Sequence, residues 1–195
     1  MARLYLVRHG EAAPPGILAG SADYGLTPAG RAQVETRRDE LAAVTFSAAW
    51  ASPLRRARQT ARIILGGNPA NTAGLTIVPD LREIRLGEWE GKDTQWIRAV
   101  WPREWEARGI DPANAAPPGG ESFAMLAERV LPAFSAICRE AESHACSLLA
   151  AHQAVNRVII AAATGLPLGR LLHIPQALAA VSVFEIRGGA VTLLE

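Results

Sequence analysis

Apolar and polar positions along this chain alternate between two periods, one of short apolar runs and one of longer amphipathic segments. Leu4 to Val7 is a short apolar run of the kind that forms a buried strand. The segment TPAGRAQVETRRDELAAV follows, with Thr27 at the N-cap position, Pro28 at the first helical position and apolar residues recurring up to Val44. Phe46 to Ala51 reads as a second strand. SPLRRARQTARIILGG then repeats the logic, with Ser52 as cap, Pro53 at the first helical position and Gly66 as stop. Leu75 to Val78 is a third, short strand.

Between Leu81 and Ser122 the alternation lapses into a segment rich in Trp, Pro and Gly, which reads as a short helical insertion covering one end of the sheet. Its Trp89, Trp96, Trp101 and Trp105 are read as core of the insertion before they are read as a stacking surface. Helix signals return from Ser122 to Ser143 and from Ala154 to Ala163, the latter ended by Gly165 and Pro167, with a strand from Ser147 to Ala151 between them. Val181 to Ile186 and Ala190 to Leu194 flank Gly188 and Gly189 as a hairpin. The predicted fold is α/β in three layers: a mostly parallel sheet between helices, a C-terminal antiparallel edge hairpin and the insertion over the active site. One domain over 1–195 is expected, with the insertion at about 81–122, since 195 residues suffice for one sizeable core.

Composition narrows the partners. The chain is 49% hydrophobic and 20% charged, as ordinary globular proteins are. Its net charge of +1 supplies no overall field for nucleic acid or an anionic membrane, so anion binding has to be local. Lys92 is the only lysine, so the positive charge is nearly all planar guanidinium. Cys138 and Cys146 have neither disulfide-framework nor zinc-ligand spacing and read as reduced core thiols. With no signal-peptide pattern and no apolar run of transmembrane length, a cytoplasmic location is expected.

In an open α/β sheet the ligand site lies beyond the carboxyl ends of the strands. Arg8 and His9 end the first strand, Ser52 to Arg58 follow the second, and His152 follows the fourth. Arg55, Arg56 and Arg58 at a helix start oppose the macrodipole, a conflict that a phosphate held there would relieve. Each of these residues alone has a plain structural explanation; their joint placement is what points to an anion site. His144 and His173 read as packing or surface residues.

These segments resemble the histidine phosphatase superfamily. RHGE (Arg8 to Glu11), LTPAGRAQ (Leu26 to Gln33), SPLRRARQTA (Ser52 to Ala61), LREIRLGEWEG (Leu81 to Gly91), PGGES (Pro118 to Ser122) and AHQAVNR (Ala151 to Arg157) follow the family's order over nearly the whole chain. The resemblance implies a phosphomonoester phosphatase that needs no metal or other cofactor and acts on a small phosphorylated metabolite. By its register Arg56, and not Arg58, takes the phosphate-binding arginine position, Glu83 the acid position, and Gln153 replaces a common glycine beside the phosphate.

Chemistry agrees with those roles. A phosphate dianion needs fixed donors, which Arg8, Arg56 and a protonated His152 can supply. His9 as nucleophile must be neutral, its second nitrogen held by a backbone carbonyl. Glu83 would protonate the leaving alkoxide and then activate water, and Gly10 would let backbone and ligand approach. Pro15 stands where many relatives carry an asparagine donor. The alternatives are a phosphoglycerate mutase, disfavoured by the short insertion, and a catalytically weak phospholigand-binding protein. Oligomeric state is open, with a homodimer among the options.

Overall fold

The computed structural model describes residues 1–194. Six strands form one mixed sheet in the order β3-β2-β4-β1-β5-β6: β1 (Ala2–Arg8), β2 (Ala48–Ala51), β3 (Leu75–Ile77), β4 (Cys146–Ala151), β5 (Val181–Arg187) and β6 (Ala190–Leu193). The first four run parallel, while β5 and β6 pair antiparallel at one edge. Leu4, Leu6 and Val7 are almost fully buried, as are Leu148 to Ala151, which is why both central strands read as continuous apolar runs.

Helices α1 (Pro28–Glu40) and α2 (Arg55–Leu65) cover one face, packing Val34, Ala61 and Ile64 against Tyr5, Val7 and Leu148. Helices α5 (Phe123–Ala141) and α6 (Gln153–Thr164) cover the other, packing Leu126, Val130, Val155 and Ile159 against Leu4, Leu6 and Leu149. The expected insertion contains two short helices, α3 (Thr94–Val100) and α4 (Pro102–Ile110). Its Trp89 is buried and tilted against Trp105 at 5.6 Å, in keeping with a core role, whereas Trp96, expected in the same core, is exposed.

Several boundaries differ from the sequence expectation. Helix α1 stops at Glu40, because the Leu41 amide turns back on three carbonyls and the chain bends so that Leu41 and Val44 cover the sheet. Phe46 precedes β2: its amide bonds Asn71 Oδ1 at 2.7 Å and its ring meets Tyr5 edge-on. Ser52 does not cap α2. That helix begins at Arg55 after Leu54, and Asp23 Oδ1, from a distant loop, accepts the Arg55 amide at 2.6 Å. Thr27 does cap α1, accepting from the Gly30 amide at 3.0 Å.

Candidate active site

Parallel pairing places the carboxyl ends of β1, β2 and β4 at one sheet edge, with Arg8 beside Ala151 and Ala51 beside Ala150. His9, Ser52 and His152 each lie one residue past their strand and therefore meet. Both histidines are buried, with ring centroids 5.1 Å apart.

Arg56, almost fully buried on the first turn of α2, sets the geometry of His9. Its Nη1 and Nη2 donate to the carbonyls of Ala22 and Gly20 at 2.6 and 2.7 Å, and its Nε donates to His9 Nε2 at 3.1 Å. An arginine can only donate, so His9 Nε2 carries a lone pair and its proton sits on Nδ1. That Nδ1–H has the Gly10 carbonyl at 2.6 Å as its acceptor. Burial first, then the charges of Arg56 and Arg8, push the His9 pKa down to about 3. The ring is thus neutral, and its one lone pair, on Nε2, accepts from Arg56 Nε.

The expectation of a protonated His152 is corrected. The ring is fully buried, and that burial, followed by the charges of Arg56 and Arg8 and the proximity of His9, holds its pKa well below the usual histidine range. His152 is therefore neutral and can give only the single N–H of an imidazole. The Arg55 amide at the start of α2 is taken by Asp23, and Arg56, one residue on, turns toward His9.

Arg8 reaches back to the Gln176 carbonyl through Nη1, while its buried Nε has no partner. Gln176 is itself held by Asn156 Nδ2 at 3.0 Å. Burial lowers the pKa of both Arg8 and Arg56, with the charge of Glu83 opposing. Glu83 is buried in the same space, accepting from its neighbour Ile84's amide at 3.0 Å and from the Ala154 amide, at the start of α6, at 3.2 Å.

Glu83 stays in place because Arg129 clamps the strip that carries it. Arg129 donates to the carbonyls of Asp80, Arg82 and Glu83 and, through Nε and Nη2, to the Glu121 carboxylate at 3.2 and 3.0 Å. Burial opposes charge on Glu121, but the bonds from Arg129 and the Arg85 amide prevail and hold its pKa below the usual range. Gly10 serves packing and not ligand approach: a Cβ there would collide with the Gly30 carbonyl on α1.

Arg8, His9, Arg56, Glu83 and Gln153 open onto one cavity of about 670 Å³. His152 lies buried behind them. The outer wall is mostly apolar, with Leu18, Leu86, Trp89, Trp105 and Phe123, and Pro15 is part of it. Arg108, on α4, also faces the cavity; its Nη1 donates to the carbonyls of Ala115 and Glu121, its guanidinium lies 4.8 Å from the Phe123 ring, and burial lowers its pKa to about 10. Sequence reasoning passed over Glu121, Arg129, Arg108 and the Gln176 segment. PGGES was the one local sign of Glu121, and nothing local announced the rest. Among the described residues no three His, Cys, Asp or Glu side chains gather to hold a metal, and no helix is long and apolar enough to cross a membrane.

Fold and site together define an α/β protein that concentrates buried cations and a neutral, singly protonated histidine at the carboxyl edge of its sheet, the arrangement of a phosphoryl-transfer enzyme. The chain belongs to the histidine phosphatase superfamily (branch 1), whose family model matches residues 4–195, and it is a phosphatase of that family. It is 32% identical to the adenosylcobalamin/alpha-ribazole phosphatase of Salmonella typhimurium, over 98% of this chain and 94% of that protein. It is 33% identical to the 2,3-bisphosphoglycerate-dependent phosphoglycerate mutase of Parvibaculum lavamentivorans, over 67% of this chain and 64% of that one. The structure of Bacillus stearothermophilus YhfR superposes with a TM-score of 0.89 at 32% identity, covering 99% of this chain and 95% of that one.

Proposed function

We propose that the protein hydrolyses a small phosphorylated metabolite without a metal, through a phosphohistidine on His9. The observation that carries the reading is the His9 lone pair, held by Arg56 and the Gly10 carbonyl at the wall of a cavity that also receives Arg8 and Glu83. In the first step Arg56 Nε moves its hydrogen bond from His9 Nε2 to a phosphoryl oxygen, His9 Nε2 bonds to phosphorus as the ester P–O bond breaks, and Glu83, as general acid, gives a proton to the leaving alkoxide. In the second, water attacks phosphorus, Glu83 takes the water proton, and the P–N bond breaks. Arg8, Arg56 and the His152 N–H hold the phosphoryl oxygens, and electrostatic stabilisation of this kind is the main work of phosphoryl transfer. Gln153, at the start of α6 and on the cavity wall, is placed to contact the phosphate.

The cavity of about 670 Å³ with apolar walls favours an alcohol larger than glycerate and with an apolar face, closer to the ester named for the Salmonella relative than to that of the mutase. Rapid quench with labelled phosphomonoester should trap an acid-labile, alkali-stable adduct that is lost in His9→Ala, with kcat/KM falling at least about 10⁴-fold. Turnover of His9→Ala at the wild-type rate sinks the mechanism. The Parvibaculum relative supports a mutase as the second reading; phosphoglycerate interconversion faster than phosphate release would put it first.

A further inference from the structure

The two ring nitrogens of His152 have unlike surroundings. Nε2 lies 2.6 Å from Ser52 Oγ, whereas the buried Nδ1 has no hydrogen-bond partner among the described residues. Both residues are fully buried. They meet because each is the first residue beyond its strand, and the Ser52 amide bonds the Ala150 carbonyl at 3.1 Å, carrying the pairing of β2 and β4 one step further. Ser52 Oγ also accepts the Leu54 amide at 3.3 Å.

Counting donors gives the short bond its direction. A neutral imidazole has one N–H and a serine one O–H. If His152 Nε2 held the hydrogen, the Ser52 hydroxyl would have no acceptor and Nδ1 would offer a bare lone pair, leaving two buried groups unsatisfied. If Ser52 donates to Nε2, Ser52 is satisfied on both sides and the ring hydrogen sits on Nδ1. Leaving the fewest buried polar groups unpaired selects the second arrangement. It is also the one that suits an anion, since a phosphoryl oxygen can only accept.

We infer that Ser52 is a positioning residue for phosphoryl transfer: its hydroxyl fixes the His152 tautomer in which Nδ1–H is left over as a donor for the phosphoryl group on the His9 side. The buried Arg8 Nε is a second such unclaimed donor at the same edge. The inference rests on the phosphohistidine reading above, but its first test does not depend on turnover.

Nitrogen-15 NMR of ring-labelled protein, with the His152 signals assigned by loss in His152→Gln, is expected to show Nδ1 protonated and Nε2 unprotonated in the wild type. Ser52→Ala should shift the proton toward Nε2, lower kcat/KM about 100-fold and weaken orthovanadate inhibition about tenfold, with the thermal transition checked for folding. Ser52→Thr, which keeps the hydroxyl, should retain the wild-type tautomer. An Nε2–H tautomer in the wild type overturns the inference, and so does a folded Ser52→Ala whose kcat/KM and vanadate inhibition equal the wild type's. Failure to label His9 in the wild type would instead count against the phosphohistidine, with the tautomer and vanadate results still judging Ser52.

Discussion

At the sheet edge His9, Arg56 and His152 are nearly dry and are tied to backbone or buried partners, whereas the cavity wall, to which the insertion contributes Leu86, Trp89 and Trp105, is mostly apolar and its Arg108 is only partly engaged. The edge inherits its geometry from three paired strands, so His9 and His152 are held by elements that cannot shift without breaking the sheet. The wall comes from short helices and loops, where side chains can change without disturbing the strands. On the proposed mechanism, the phosphoryl chemistry belongs to the edge and the choice of alcohol to the wall.

The sharpest way to break that division is Arg56→Lys. Lysine keeps the charge but cannot bond Ala22, Gly20 and His9 together from one planar group. We expect kcat/KM to fall about 10²- to 10³-fold for every ester tested, about 3–4 kcal/mol of transition-state stabilisation. Steady-state kinetics on a large and a small ester checks it, and a loss confined to one ester would move Arg56 to the wall's side of the comparison.

The dry edge also predicts a pH dependence of stability. His9 and His152 titrate far below 6.5 when folded, so between about pH 3 and 6.5 the unfolded chain binds more protons. Stability therefore rises with pH through that window and levels off above it. Each histidine adds a slope of up to about 1.4 kcal/mol per pH unit. Urea midpoints from pH 7 to pH 4.5 measure the sum, and His152→Gln should flatten the slope. By the same shift, the free enzyme's kcat/KM should show no inflection near 6.5 from His9.

The two regions differ as well in how far the sequence reveals them. Arg8, His9 and His152 are legible because a strand end is a local pattern, and parallel order brings strand ends together. Ser52 was misread as a helix cap because a hydroxyl before Pro53 looks alike whether it serves the next helix or a histidine on another strand. The grip of Gln176 on Arg8 spans 168 residues, and the Arg129 clamp on Glu121 and Asp80 joins separate segments, so no local periodicity records either. The mixed sheet and its edge hairpin were legible throughout; the ends of α1 and β2 were not, because Leu41, Val44 and Phe46 bury themselves from turns.

On the wall, Arg108→Leu sharpens the comparison. Leucine preserves apolar contact with Phe123 but removes a cation that has no carboxylate ion-pair partner among the described residues. For a bulky ester carrying a hydrogen-bond acceptor, KM should rise about tenfold, about 1.4 kcal/mol, with kcat little changed. Orthovanadate inhibition should stay at the wild-type level, because on this division Arg108 serves the alcohol and not the phosphoryl group. Equal weakening of vanadate and ester would place Arg108 at the edge instead.

The smallest expected effect lies where the edge is braced from behind. Ala179 is buried with φ of 55°, its amide donating to the His9 carbonyl at 3.2 Å and its carbonyl accepting from Arg37 Nε at 3.1 Å. A left-handed alanine costs about 1 kcal/mol, which glycine avoids while giving up some unfolded-state restriction. Ala179→Gly should therefore stabilise the protein by less than about 1 kcal/mol, read as a small rise in the urea midpoint. Because both backbone bonds survive the substitution, kcat/KM should stay within about twofold of wild type; a larger loss would mean that the alanine methyl, and not only its backbone, holds His9 in register.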